Sequence, residues 1–183
     1  MSEIKELYVI EWMGPYKSLD DICNYDDTMM CRFYLLTGRL GRESNGIKYV
    51  GITKRYPEER LSDKDDLEKQ KMIKERKYWV GRFSVSLLNK LDKPRNRERA
   101  ELIECLIIKY LYESSVRIIN TNKTQLCPAK SIGIISRWLK KDSNDLRSNK
   151  PRVLQNLPDV LLYYDGKFLS APKVRIDIEM EMK

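Results

Sequence analysis

A glutamate in the middle of an apolar helix is the most chemically pointed feature of this chain. Glu104 lies in residues 97–111, where the positions three and four away are Ala100, Glu101, Ile107 and Ile108. At helical spacing these neighbours share its side of the helix. An unpaired carboxylate there costs on the order of a few kcal/mol, so a cation should meet it. Two readings stay open: an ion pair with an arginine or lysine, or a divalent metal, since hard cations prefer oxygen ligands. Glu101, one turn earlier, competes for the same role. Tyr34 and Tyr49 stand in strand-like runs, where tyrosine is common simply as packing. Arg55 and Arg60 follow, and a guanidinium matches phosphate oxygens with two parallel donors. Lys54 could touch a phosphate or stay solvated. Gly51 marks a bulge or a close strand approach.

The elements that would position these side chains follow from the pattern around them. CRFYLLTG and IKYVGIT are apolar, aromatic-rich runs joined by the glycine-bearing GRLGRESNG, which predicts a hairpin. Pro57 suits the first turn of a helix through EERLSDKDDLEKQKMIKERK. YWVGRFSVSLL predicts a third strand, RERAELIECLIIKYLYE an amphipathic helix, and VRIIN a short strand. The expected core is thus α+β, a small β-β-α-β-α-β sheet with helices packed on it, spanning residues 31–124. Residues 1–30 are expected as an acidic N-terminal extension: LYVIEW is strand-like, Gly14 and Pro15 break it, and SLDDICNYDD suits a short capped helix with Ser18 and Asp21. Residues 125–183 are expected as a C-terminal extension for DNA binding or dimerisation. There IGIISRWLKK reads as a helix with Arg137, Lys140 and Lys141 on one side, VLLYYDGKFL as an Asp-Gly hairpin, and KVRIDIEMEM as a half-exposed strand and possible oligomer edge.

Composition narrows the chemistry. The 183 residues contain no histidine and four scattered cysteines, Cys23, Cys31, Cys105 and Cys127, without a CxxC pair. That excludes histidine-based acid–base catalysis and argues against a zinc site with the usual ligand spacing. Free thiols in a reducing compartment are expected. No apolar run approaches the roughly 20 residues that span a bilayer, and the start MSEIKELYVIEW does not read as a signal peptide. A cytoplasmic location is therefore expected. Net charge is +8, but residues 1–30 carry two basic and seven acidic residues whereas residues 31–124 carry 22 and 13. A basic body suits a polyanionic partner.

Taken in order, these motifs resemble the GIY-YIG endonuclease superfamily over about 90 residues. Arg32-Phe33-Tyr34 stands at the GIY position and Tyr49-Val50-Gly51 at YIG. Arg60 falls at the family's helix-borne arginine, Glu104 at its glutamate and Asn120 at its asparagine. The resemblance implies a metal-dependent endonuclease that hydrolyses DNA phosphodiester bonds, of restriction type or from a phage or mobile element; the alternative is a non-catalytic nucleic-acid-binding module that retains the GIY-YIG fold. It implies that Glu104 holds one Mg²⁺ or Mn²⁺, that Tyr34 or Tyr49 orients or deprotonates water, that Arg60 stabilises the transition state, and that Asn120 supports the site. A metal and a guanidinium would neutralise charge building on the phosphate. Double-stranded DNA is the implied partner. Arg32, Lys54, Arg55, Arg137, Lys140 and Lys141 are candidate DNA contacts, and a homodimer would deliver two strand cuts.

Overall fold

The computed structural model describes residues 6–22, 32–53, 61–84, 96–121, 131–141 and 143–170. The architecture is α+β. Among the described residues, seven strands form one sheet: β1 (Glu6–Tyr16), β2 (Arg32–Leu40), β3 (Gly46–Thr53), β4 (Ile73–Phe83), β5 (Ile132–Trp138), β6 (Val160–Tyr164) and β7 (Lys167–Ser170). Their spatial order is β3-β2-β4-β1-β5-β6-β7. Helix α1 (Lys64–Lys71) precedes β4, and helix α2 (Asn96–Glu113) follows it.

β1 is a central strand rather than part of an extension. It pairs antiparallel with β4 and parallel with β5, so both ends of the chain enter the same sheet. The reason is visible in LYVIEW, whose near-continuous apolar character is what a strand buried on both faces requires. The break at Gly14 and Pro15 is a register shift between Met13 and Tyr16, and the strand continues past it.

The expected helix over IGIISRWLKK is β5. Its isoleucines are stiff, β-branched residues that fit a pleated surface. Successive residues along it are buried on both faces of the sheet, which removes the alternation that would have marked a strand. The expected hairpin after it is present: Asp165 and Gly166 link β6 to β7, with φ of 47° and 78°. A two-residue turn with both central φ angles positive matches the twist of its strands. The expected helix from Ser18 begins instead as a turn. There Asp21 N–H donates to Ser18 Oγ and Ser18 N–H to an Asp21 carboxylate oxygen, both at 3.2 Å. VRIIN is not a strand, although Ile119 N–H donates to the Lys48 carbonyl at 2.8 Å. Residues 171–183, and with them the KVRIDIEMEM segment, lie outside the described residues.

The sheet separates two apolar clusters. On one side Ala100, Ile103, Leu106, Ile107 and Leu111 of α2 pack against Trp12, Phe33, Leu35, Val50 and Trp79. On the other, Met13, Tyr34, Leu36, Tyr49, Leu61, Tyr78 and Val80 form a second cluster. Alternation along β2 assigns Phe33 and Leu35 to the first side and Tyr34 and Leu36 to the second.

Candidate functional site

The β2–β3 hairpin brings Tyr34 and Tyr49 together. Tyr34 is opposite Gly51 and Leu36 opposite Tyr49, so the tyrosines are diagonal neighbours on one face. Their rings stack with centroids 5.8 Å apart and planes 10° from parallel, and both residues are buried. The Tyr34 ring covers Gly51 so closely that a Cβ there would sit 2.3 Å from Cζ. Gly51 is therefore a close approach between a ring and a backbone. Val50, between Tyr49 and Gly51, is gripped by Asn120: its N–H donates to Asn120 Oδ1 at 3.3 Å, and Asn120 Nδ2 donates to its carbonyl. β3 is an edge strand, and this side-chain amide occupies backbone groups that an edge otherwise leaves open. Asn120→Ala is expected to cost about 1–2 kcal/mol, from two partnered groups left unpaired, read as a lower urea midpoint.

Glu104 belongs to a different setting. It is buried on α2, the helix that packs against the Phe33, Leu35 and Val50 side of the sheet, whereas Tyr34 and Tyr49 belong to the opposite cluster. Its rival Glu101 is a partly exposed residue paired with Arg97 one turn away. Among the described residues, no three Asp, Glu, Cys or His side chains come together in a way that could hold a metal ion. One carboxylate supplies only a fraction of the six or so oxygens that Mg²⁺ surrounds itself with. Arg60, Lys54 and Arg55 lie outside the described residues. Arg32 stands in β2 opposite Thr53. Cys105 is a buried thiol.

A charged cluster not anticipated from the sequence occupies the middle of the sheet. Adjacent β4, β1 and β5 place Arg82 opposite Glu11 and Glu11 opposite Arg137. The Glu11 carboxylate accepts from Arg82 Nε at 3.1 Å, Ser84 Oγ at 3.0 Å and Arg137 Nη1 at 3.1 Å. Arg82 also donates to Asn144 Oδ1 at 2.9 Å, tying the loop after β5 to the sheet. In that loop Lys140 Nζ is 3.5 Å from an Asp145 carboxylate oxygen, and Lys141 Nζ lies 5.1 Å from the centre of the Tyr16 ring. Like Glu104, Glu11 is an acid inside an apolar run, LYVIEW, and that misfit is its signal in the sequence.

Elsewhere the electrostatics are structural. Burial, reinforced by its hydrogen bond to Glu6, pushes the Tyr8 hydroxyl far above the ordinary tyrosine range, so it is no base. Hydrogen bonds from Lys48 and then Arg117 hold the Glu43 carboxyl below its ordinary value of 4.5. Because the folded value is the lower one, the unfolded chain takes up the proton first as pH falls. The stabilisation is complete above the ordinary value and fades as pH drops through the folded one. Glu43→Gln is therefore expected to flatten the acid limb of stability, seen by comparing urea midpoints at roughly pH 6 and pH 4.

Comparison with known proteins gives a different functional direction from the sequence motifs. The chain is similar to serine/threonine-protein phosphatase 2A activator 2 of Kluyveromyces lactis, 29% identical over 102 residues. The match takes in 52% of this chain, which spans 28% of the relative's length. No family model matches, and no solved structure does. The relative is a phosphatase activator and not a nuclease. This corrects the expectation of a DNA-hydrolysing, restriction-type or mobile-element endonuclease. Among the described residues, no helix is long and apolar enough to cross a membrane.

Proposed function

We propose that the chain is an accessory module that binds a partner protein and modulates it, with a protein serine/threonine phosphatase as the partner class. The observation that carries this reading is the 102-residue similarity to a phosphatase activator. The geometry agrees with a binding role. Tyr34 and Tyr49 are stacked and buried as packing, while Arg137 and Lys140 keep much of their side-chain surface in solvent. In this proposal the hairpin and α2 that resemble the GIY-YIG framework serve as scaffold, with Asn120 securing the edge of β3.

The test mixes the purified chain with the catalytic subunit of phosphatase 2A. Binding is followed by calorimetry, and dephosphorylation of a phosphopeptide by phosphate release. Saturable binding with a changed turnover is the expected result. No binding at micromolar concentrations, with turnover unchanged, would overturn the reading.

A further inference from the structure

We infer that the outer edge of β7 is a homodimer interface, at which two copies of the chain pair antiparallel about a two-fold axis at Leu169. The inference goes beyond the phosphatase reading and does not depend on it.

The two edges of the sheet are finished differently. At β3, Ile119 N–H and the Asn120 amide occupy backbone groups of Lys48 and Val50. No strand lies beyond β7 among the described residues, and an edge left open is a template for another strand. Register shows which groups that edge offers. Opposed residues of an antiparallel pair alternate between exchanging hydrogen bonds and turning their groups away. Ser136 N–H donates to the Asp159 carbonyl at 2.7 Å, on the register that sets Ile132 opposite Tyr163. Tyr163 therefore turns its backbone groups toward β5 and away from Phe168, its neighbour in β7. Phe168 and, two residues on, Ser170 then direct their N–H and C=O outward. The turn at Asp165 and Gly166 agrees, since it closes on Tyr164 and Lys167 as a bonded pair.

These outward groups are symmetric about Leu169, and the symmetry selects a second copy as the occupant. With Leu169 set opposite its own counterpart, Phe168 of each copy meets Ser170 of the other, and each such pair exchanges two hydrogen bonds. Leu169 becomes the intervening pair, where opposed side chains stand closest. It is 50% exposed, and register places it in one row with Leu162, Gly133 and Leu7, the last 46% exposed. Pairing covers the β7 end of that apolar row. The edge is also held in place. On the opposite face of the sheet, Phe168 meets Tyr110 of α2 and Tyr163 edge-on, with ring centroids 5.4 and 5.1 Å apart.

Sedimentation velocity of the full chain, from micromolar to near-millimolar concentration, measures the association. Ser170→Pro removes an outward N–H at a position where an edge strand tolerates proline. Leu169→Lys sets like charges opposite one another. Each is expected to weaken association about tenfold or more, whereas Leu7→Lys, in the same row but three strands away from β7, stays within about twofold of wild type. Thermal melts check that the variants are folded. Leu169→Cys gives a second readout that leaves the backbone pairing intact. With diamide as oxidant it should cross-link two copies more readily than wild type or Lys167→Cys, whose sulfurs would lie well apart on either side of the axis. A chain that stays monomeric throughout would overturn the inference, as would equal cross-linking at the two positions. Association lost in Leu7→Lys but kept in Ser170→Pro would also overturn it, because the copies would then stack by their faces.

Discussion

Glu11→Ala is expected to lower the unfolding free energy by about 3–5 kcal/mol, because a buried charge network would lose the carboxylate that three donors share. The Glu11 and Arg82 side chains are 10% and 14% exposed, so water cannot replace the lost partner at Arg82. Asn144 would remain as one acceptor for Arg82, but a neutral amide does not neutralise a guanidinium. The more exposed Arg137 can turn to solvent and contributes little of the loss. Glu11→Gln keeps the shape and can still accept from Ser84, so about half of the loss is expected there. Urea unfolding at neutral pH measures both. A loss within about 1 kcal/mol for the alanine variant would mean that the cluster behaves as a surface ion pair.

Tyr34→Ala is expected to cost about 3–5 kcal/mol, in the range for emptying a large aromatic from a packed core. Gly51→Ala should cost about 1–3 kcal/mol by the opposite route, since its new methyl group would press on a ring that cannot swing aside. Tyr49 stacks against that ring, and Leu36 and Val80 belong to the same cluster. In combination the two substitutions should cost less than their sum, because the space vacated by Tyr34 receives the Gly51 methyl. A double-mutant cycle reads this coupling directly. Strict additivity would show that Gly51 is required for something other than the ring.

Local chemistry made some elements legible. The Asp-Gly dipeptide between two apolar runs located the turn between β6 and β7, since few residues accept two successive positive φ angles. The β2–β3 hairpin and the long helix α2 were likewise written in short stretches of sequence. β5 reads as a helix in the sequence because burial on both faces erases the two-residue period, leaving the isoleucines and Trp138 to mimic a helical stripe. β1 reads as an extension because its partners, β4 and β5, lie far away in the chain. The cross-strand row of Arg82, Glu11 and Arg137 depends on that same long-range register, which no local pattern encodes. Helical periodicity exposes buried Glu104 as a misfit, whereas Glu11 reads as one more charge in an acidic segment.

The pairing of β1 with β5 also sets an order of events for the newborn chain. Ile10 lies opposite Ser136, and Trp12 stacks over Trp138. The first strand can complete its hydrogen bonds only after more than a hundred further residues have been made. Contacts of such sequence separation slow folding and leave apolar surface open meanwhile. A piece cut at residues 31–124 would lack both β1 and β5, stripping β4 of one neighbour and exposing Trp79 and Phe83. The natural unit for expression or for circular permutation is thus the whole sheet, with new termini best placed in the turn at Gly166.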